Sequence, residues 1–161
     1  MRRGRLFLPN RVWTVAERPN SVTRPELAAA LFAGVTPADS QEHFLVLMLD
    51  SNHKPMAPPI EVVKGVLDGC MLTPREVFGP ALCCRAAAII IAHNHPSGNL
   101  RPSEDDLEIT RRFEEAGTLL GIHLLDHLIF NVGDIHGRVE PTHVSIREWG
   151  WPAPANDRRD D

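Results

Sequence analysis

Along this chain, short unbroken apolar runs alternate with stretches in which apolar residues recur every three or four positions. That alternation predicts strands and helices in turn, and so an α/β domain. Thr23-Arg24-Pro25-Glu26 has the form of a capping box with proline in the first turn. Leu27, Ala28, Leu31 and Phe32 then supply an apolar face that Gly34 ends, which predicts a short helix. Phe44 to Leu49 is wholly apolar and too short for a capped helix, so it reads as a central strand with Glu42 at its mouth. Ile60 to Val66 and Cys70 to Leu72 predict shorter strands about a turn at Asp68-Gly69. Thr73-Pro74-Arg75-Glu76 repeats the capping pattern and opens a helix, in which Pro80 predicts a kink or break at Gly79-Pro80.

Ala86 to Ala92 predicts a second buried strand running straight into His93-Asn94-His95-Pro96-Ser97-Gly98, where proline and glycine stop the ladder. A longer helix from about Glu104 to Leu120 places Ile109, Phe113, Ala116 and Leu120 on one side and ends at Gly121. Ile122 to Phe130 predicts a third strong strand. His143 to Trp149 predicts a weaker last one, after a polar loop from Asn131 to Thr142. The fold expected is therefore α/β (α+β), a single domain with a mixed central sheet flanked by helices. No internal repeat is visible.

Composition narrows this little. The 161 residues, 43% apolar and 24% charged, suit one globular domain with a core. A net charge of -4 argues against a surface that holds nucleic acid through overall charge. The one basic cluster, Arg2, Arg3, Arg5 and Arg11, is better explained by a solvated terminus than by a phosphate-seeking arm. Three cysteines in no framework spacing, with no membrane-length apolar run and no secretory h-region, predict a cytoplasmic protein. The adjacent Cys83 and Cys84 are expected to be small buried hydrophobes near a helix.

The chemistry gathers after the second strand. Side chains alternate along a strand, so His93 and His95 point the same way and can share one ion. By itself such a pair also suits a polar pocket or a strand cap. The longer pattern H-x-H-x7-S-x2-D adds Ser103 and Asp106 at the start of the next helix. Two imidazoles and one carboxylate make a three-ligand site with a fourth position for water, as in catalytic zinc. Asp106 also suits the first turn of a helix, where it would answer the macrodipole, and both explanations remain open at this point.

Ile89-Ile90-Ile91-Ala92-His93-Asn94-His95-Pro96-Ser97-Gly98, followed by Pro102-Ser103-Glu104-Asp105-Asp106, resembles the signature of the RadC proteins, in the JAMM (MPN-plus) metalloprotease superfamily. Glu42-His43-Phe44, Pro74 to Phe78, and Gly121-Ile122 through Asp126-His127-Leu128-Ile129 extend the likeness over roughly Ser40 to Gly150. The resemblance implies a JAB/MPN-like (cytidine-deaminase-like) architecture. Residues 1–39 would be an N-terminal extension with one short helix, 40–150 the metal-binding domain and 151–161 a disordered tail. It implies one zinc ion on His93, His95 and Asp106, Glu42 as general acid/base, Ser103 at the oxyanion, and a peptide or protein substrate cleaved at an amide-type bond. Asp126 and His127 would be structural or supporting residues.

Without the resemblance, Glu42 is an ordinary carboxylate ahead of a strand. Larger RadC proteins carry a helix-hairpin-helix segment before this domain. Only a short helix fits ahead of Glu42 here, so that segment's DNA binding is not expected to transfer. The 131–142 loop looks longer than the family's usual turn and is expected to be an insertion. A nucleobase deaminase is set aside, since H-x-E and a following P-C-x-x-C are both missing. The same ligand types also serve non-haem iron oxygenases. The remaining alternative is a RadC-like accessory module for DNA repair or recombination, acting through partners with a non-catalytic metal. The sequence carries no statement of oligomeric state.

Overall fold

The two strongest apolar runs become the middle of one sheet. The computed structural model describes residues 19–65, 72–132 and 142–151. In chain order they form α1 (Pro25–Ala33), β1 (His43–Leu49), β2 (Ile60–Lys64), α2 (Pro74–Cys84), β3 (Ala88–Asn94), α3 (Glu104–Leu120), β4 (His123–Phe130), β5 (His143–Ser145) and α4 (Ile146–Gly150). The strands lie in the order β2-β1-β3-β4-β5. Only β3 and β4 pair in parallel, and α3 is the crossover such a pair requires. The fold is thus the mixed α/β sheet flanked by helices that the sequence predicts.

Every residue of β1 and β3 is buried, because helices cover both faces. On one face, Phe44, Val46, Ile89 and Ile91 pack under α2 and α3 through Val77, Phe78, Ile109 and Phe113. On the other, Leu45, Leu47, Ile90, Leu128 and Phe130 pack against Ala28, Ala29 and Phe32 of α1. Each large side chain so enclosed is worth roughly 1.5–3 kcal/mol relative to exposure. Near its C-terminal end α3 approaches very closely: a Cβ on Gly117 would lie 2.4 Å from the Ile122 carbonyl oxygen.

One irregularity decides which side chains meet. Ile89 pairs with Leu124 but Ile90 with Asp126, so Leu125 is an extra residue on β4. Past such a bulge the alternation of faces is inverted. Asp126 is therefore turned towards the α1 side, and His127, opposite Ile91, towards the face under α3.

Several expectations need correction. The first helix starts after Arg24 with no side-chain cap, because the residue before Pro25 is held extended (φ -142°, ψ 147°), so Thr23 cannot act as the cap. Gly34 ends that helix in a right-handed conformation. The break expected at Pro80 is absent: α2 runs through it, losing one backbone bond while Val77, Phe78 and Ala81 stay buried on one face. Cys83 and Cys84 are exposed, being in the last turn of α2 beyond that face. Leu120 is 40% exposed, and the buried face of α3 is Asp106, Ile109, Thr110, Phe113 and Gly117. The last predicted strand pairs only over His143–Ser145. Ser145 then caps α4 by accepting from the Glu148 N–H. The Asp68-Gly69 turn, most of Cys70 to Leu72, the first arginines, the interior of the 131–142 loop and the tail lie outside the described residues.

Candidate metal centre

β3 ends at Asn94, so His93 is its last residue but one and His95 the first beyond it. The His95 N–H still bonds to the Phe130 carbonyl of β4 at 3.3 Å. A turn through Pro96 and Ser97 then closes on Gly98, whose φ of +82° favours glycine. Ser103 caps α3 and places Asp106 in its first turn. His93 Nε2 thereby lies 2.9 Å from His95 Nε2 and 3.0 Å from Asp106 Oδ1, while His95 Nε2 lies 3.8 Å from Asp106 Oδ2. His93 and Asp106 are buried and the His95 side chain is 16% exposed, so the cluster sits just under the surface.

The geometry fits a metal ion. One donor atom from each of the three residues lies within 4.8 Å of the others. Tetrahedral zinc, with bonds of about 2.0–2.1 Å, holds ligand atoms roughly 3.3 Å apart, and the 2.9 and 3.0 Å separations about His93 Nε2 lie near that spacing. His93, His95 and Asp106 can therefore bind a metal.

Asp106 divides its two roles between its oxygens. Oδ2 accepts from the Ser103 N–H and the Ser103 hydroxyl, both at 2.7 Å, while Oδ1 faces His93. Capping and ligation thus do not compete for one atom. Burial alone would raise the Asp106 carboxyl, but the neighbouring His93 ring and the Ser103 donors outweigh it and hold the group well below the usual carboxylate range.

The rings of the site are backed by others. Phe44 stacks on His93 with ring centres 5.9 Å apart and meets His127 edge-on at 5.7 Å. His127 Nε2 lies 2.9 Å from His93 Nδ1, and its Nδ1 lies 2.7 Å from Thr110 Oγ1. The Thr110 hydroxyl donates to the Asp106 carbonyl at 2.6 Å. Burial, and then the charge of His93, push His127 well below the ordinary histidine value, so it is neutral near pH 7. His95 Nδ1 donates to the Asn99 carbonyl. Sequence reasoning left His127 as a supporting residue and missed Thr110. The available signal was spacing, since Thr110 is four residues after Asp106 on the same helix face.

Glu42 immediately precedes β1, two residues before Phe44, which pairs with His93. Continuing that register sets Glu42 across from His95, on the same face of the sheet. Its peptide is fixed from three directions. The Asn94 side chain accepts from the His43 N–H at 2.7 Å and donates to the Gln41 carbonyl at 3.0 Å, and the Glu42 carbonyl accepts from Gly65 at 2.9 Å. Asn94, between the two histidines and on the opposite face, was not singled out from sequence. It ties the metal strand to the Glu42 segment.

Beyond Asn94, His43 Nε2 meets Asp39 Oδ1 at 2.8 Å, its Nδ1 bonds Glu61, and Lys64 donates to Asp39 at 3.1 Å. A cavity of about 210 Å³ beside His95 is lined by Asp39, Asn94, Pro96, Gly98 and Asn131. A larger one, about 720 Å³, lies by α1 and Asp126 and shares no residue with the donor cluster. Of the two, only the smaller is lined by a donor residue, His95, so the site is assigned beside it. Asp126 itself accepts from the Ser145 hydroxyl at 2.7 Å and plays no part at the cluster.

A mixed sheet with His-x-His leaving one strand and a carboxylate in the first turn of the following crossover helix defines a metal-binding class of α/β domain. The chain belongs to the RadC-like JAB domain family, whose profile matches residues 22–149. It is similar to a UPF0758 protein of Methanospirillum hungatei, with 44% identity over 131 residues, 80% of this chain and 57% of that protein. A UPF0758 protein of Geobacter sulfurreducens is 48% identical over 93 residues, 58% of this chain and 40% of that protein. The chain spans about half the length of the curated relatives it matches. Among the described residues, no helix is long and apolar enough to cross a membrane.

Proposed function

We propose that this domain is a zinc-dependent hydrolase of JAMM type, cleaving an amide-type bond in a peptide or protein in the cytoplasm. The observation that carries the proposal is the convergence of His93 Nε2, His95 Nε2 and Asp106 Oδ1, three ligands that leave a further position for water. Zinc bound there supplies Lewis acidity and brings the pKa of a water to about 7. Glu42, on the His95 side of the sheet, takes the proton of the attacking water and delivers it to the leaving amine. The pinned peptide around it fixes the backbone from which that side chain starts. Ser103 is the donor for the developing oxyanion. Its hydroxyl donates to Asp106 Oδ2 in this structure, so the role requires the O–H to turn from that carboxylate to the substrate.

The test compares cleavage products of a proteome-derived substrate mixture between the wild-type chain and Glu42→Gln, both purified without added metal and analysed for metal content. The expected result is one zinc per chain in each, with cleavage reduced on the order of 10²–10⁴-fold in the variant. Products absent from zinc-loaded wild type, or equal in both proteins, would refute the hydrolase. Iron with oxygen-dependent activity would replace it by an oxygenase.

A further inference from the structure

We infer that His127 and Thr110 form a relay that keeps a hydrogen on Nδ1 of His93 and so reserves its Nε2 for a metal ion. The inference rests on the metal-site part of the proposed function and not on the reaction. Its direction follows from the one end that has no choice. The Asp106 carbonyl can only accept, so the hydroxyl of Thr110 points at it, at 2.6 Å. With its hydrogen committed, Thr110 Oγ1 accepts from His127 Nδ1–H at 2.7 Å. A neutral ring has one N–H, so His127 Nε2 carries a lone pair and accepts from His93 Nδ1–H at 2.9 Å. His93 Nε2 is then the nitrogen turned to His95 Nε2 and Asp106 Oδ1, and the one free to exchange a hydrogen for a metal ion.

His95 reaches the same state by a shorter route, donating Nδ1–H directly to the Asn99 carbonyl. Both imidazoles thus turn Nε2 to a common point. The relay also closes on itself: it starts at one ligand, His93, and ends on the backbone of another, Asp106. The bulge at Leu125 brings His127 to this face, and the helical spacing of Asp106 and Thr110 completes the circuit. His127 and Thr110 are positioning residues that act through His93. Partners of this kind, when removed, weaken metal binding about 10–100-fold.

The experiment uses the full chain, first free of metal. Ring proton–nitrogen correlation spectra of the wild type are expected to show a hydrogen held on His93 Nδ1. Zinc affinity is then measured by competition with a chelator. Thr110→Val is expected to lose 10–100-fold and to yield mixed His93 tautomers, while Thr110→Ser, which keeps the hydroxyl, stays close to wild type. His127→Gln, whose amide can accept from His93 and donate to Thr110, should bind more tightly than His127→Leu. If His127→Leu does not fold, the two threonine variants and the wild-type spectrum decide. His93 with no hydrogen on Nδ1, or zinc affinity unchanged in Thr110→Val, overturns the relay. Zinc binding without cleavage defeats the hydrolase and leaves the relay standing. A wild-type chain that takes up no zinc ends both.

Discussion

His127 and His43 are equally buried, each with no exposed surface, yet the structure shifts their pKa in opposite directions. His127 lies under α3 among imidazoles and a threonine hydroxyl, and burial with the charge of His93 pushes its pKa well down. His43 lies one strand away. Burial pushes its ring down as well, but bonds to Glu61 and then Asp39 outweigh that and raise it. Burial alone therefore does not tell a metal-site histidine from an ion-paired one. The partners decide, and which partners are met is a matter of sheet face: His127 shares a face with His93, whereas His43 adjoins Asn94.

The largest effect should come from breaking the contrast at its carboxylates. Asp106→Ala removes a ligand from the His127 side, and its zinc content after dialysis should fall from one per chain to none. Asp39→Ala removes a carboxylate from the His43 side and should leave one zinc per chain. Equal metal content in the two variants would mean that the clusters do not differ in the way described.

A smaller effect tests how firmly α3 is seated over the His127 face. Gly117→Ala places a methyl 2.4 Å from the Ile122 carbonyl, a backbone atom that cannot swing aside. The expected loss is about 1–3 kcal/mol in chemical denaturation, as for other overpacked sites. Gly79→Ala on α2 meets nothing within 4 Å. It should gain about 0.5–1 kcal/mol from the lower chain entropy of alanine. A Gly117 variant as stable as wild type would show that α3 can shift and that the distances around Thr110 are not rigidly set.

The same contrast explains what could be read from the sequence. His93, His95 and Asp106 follow from local rules, strand alternation and the first turn of a helix, so spacing allowed their convergence and the family resemblance singled it out. The central strands and α3 were legible for the same reason, as continuous or strongly periodic runs. His127 and Asp126 could not be sorted, because their faces depend on a bulge in a parallel pair that no residue type in Leu124-Leu125-Asp126 announces. The pairing of His43 with Glu61 and of Asn94 with the Glu42 segment depends on which strands become neighbours. At Pro80 the burial of Val77, Phe78 and Ala81 overrode a correct local penalty. At residues 146–150, a serine cap within an apolar stretch ended a strand that the pattern alone would have continued.

The smallest effect separates the two histidines by pH. His43 has a folded pKa above its ordinary 6.5. Its contribution to stability is thus fully present below about 6.5 and is lost as pH rises through the folded value. Asp39, held low by the hydrogen bond from His43 and then by the Gln41 N–H, behaves in the opposite sense. Its contribution is present above its ordinary 3.8 and lost as pH falls through the depressed value. Lys64 also meets Asp39, at 3.1 Å. Asp39 and Glu61 are both more than a third exposed, so solvent screens the pair and the effect should be modest. His127, with its folded pKa lowered, destabilises the fold as pH falls below 6.5, but it is present in both wild type and His43→Gln and cancels in their difference. Chemical denaturation of the two proteins across a pH series should therefore show the wild-type advantage shrinking as pH rises above 6.5. An advantage that stays flat or grows with pH would mean that His43 is neutral between its carboxylates, and that the two buried histidines are alike after all.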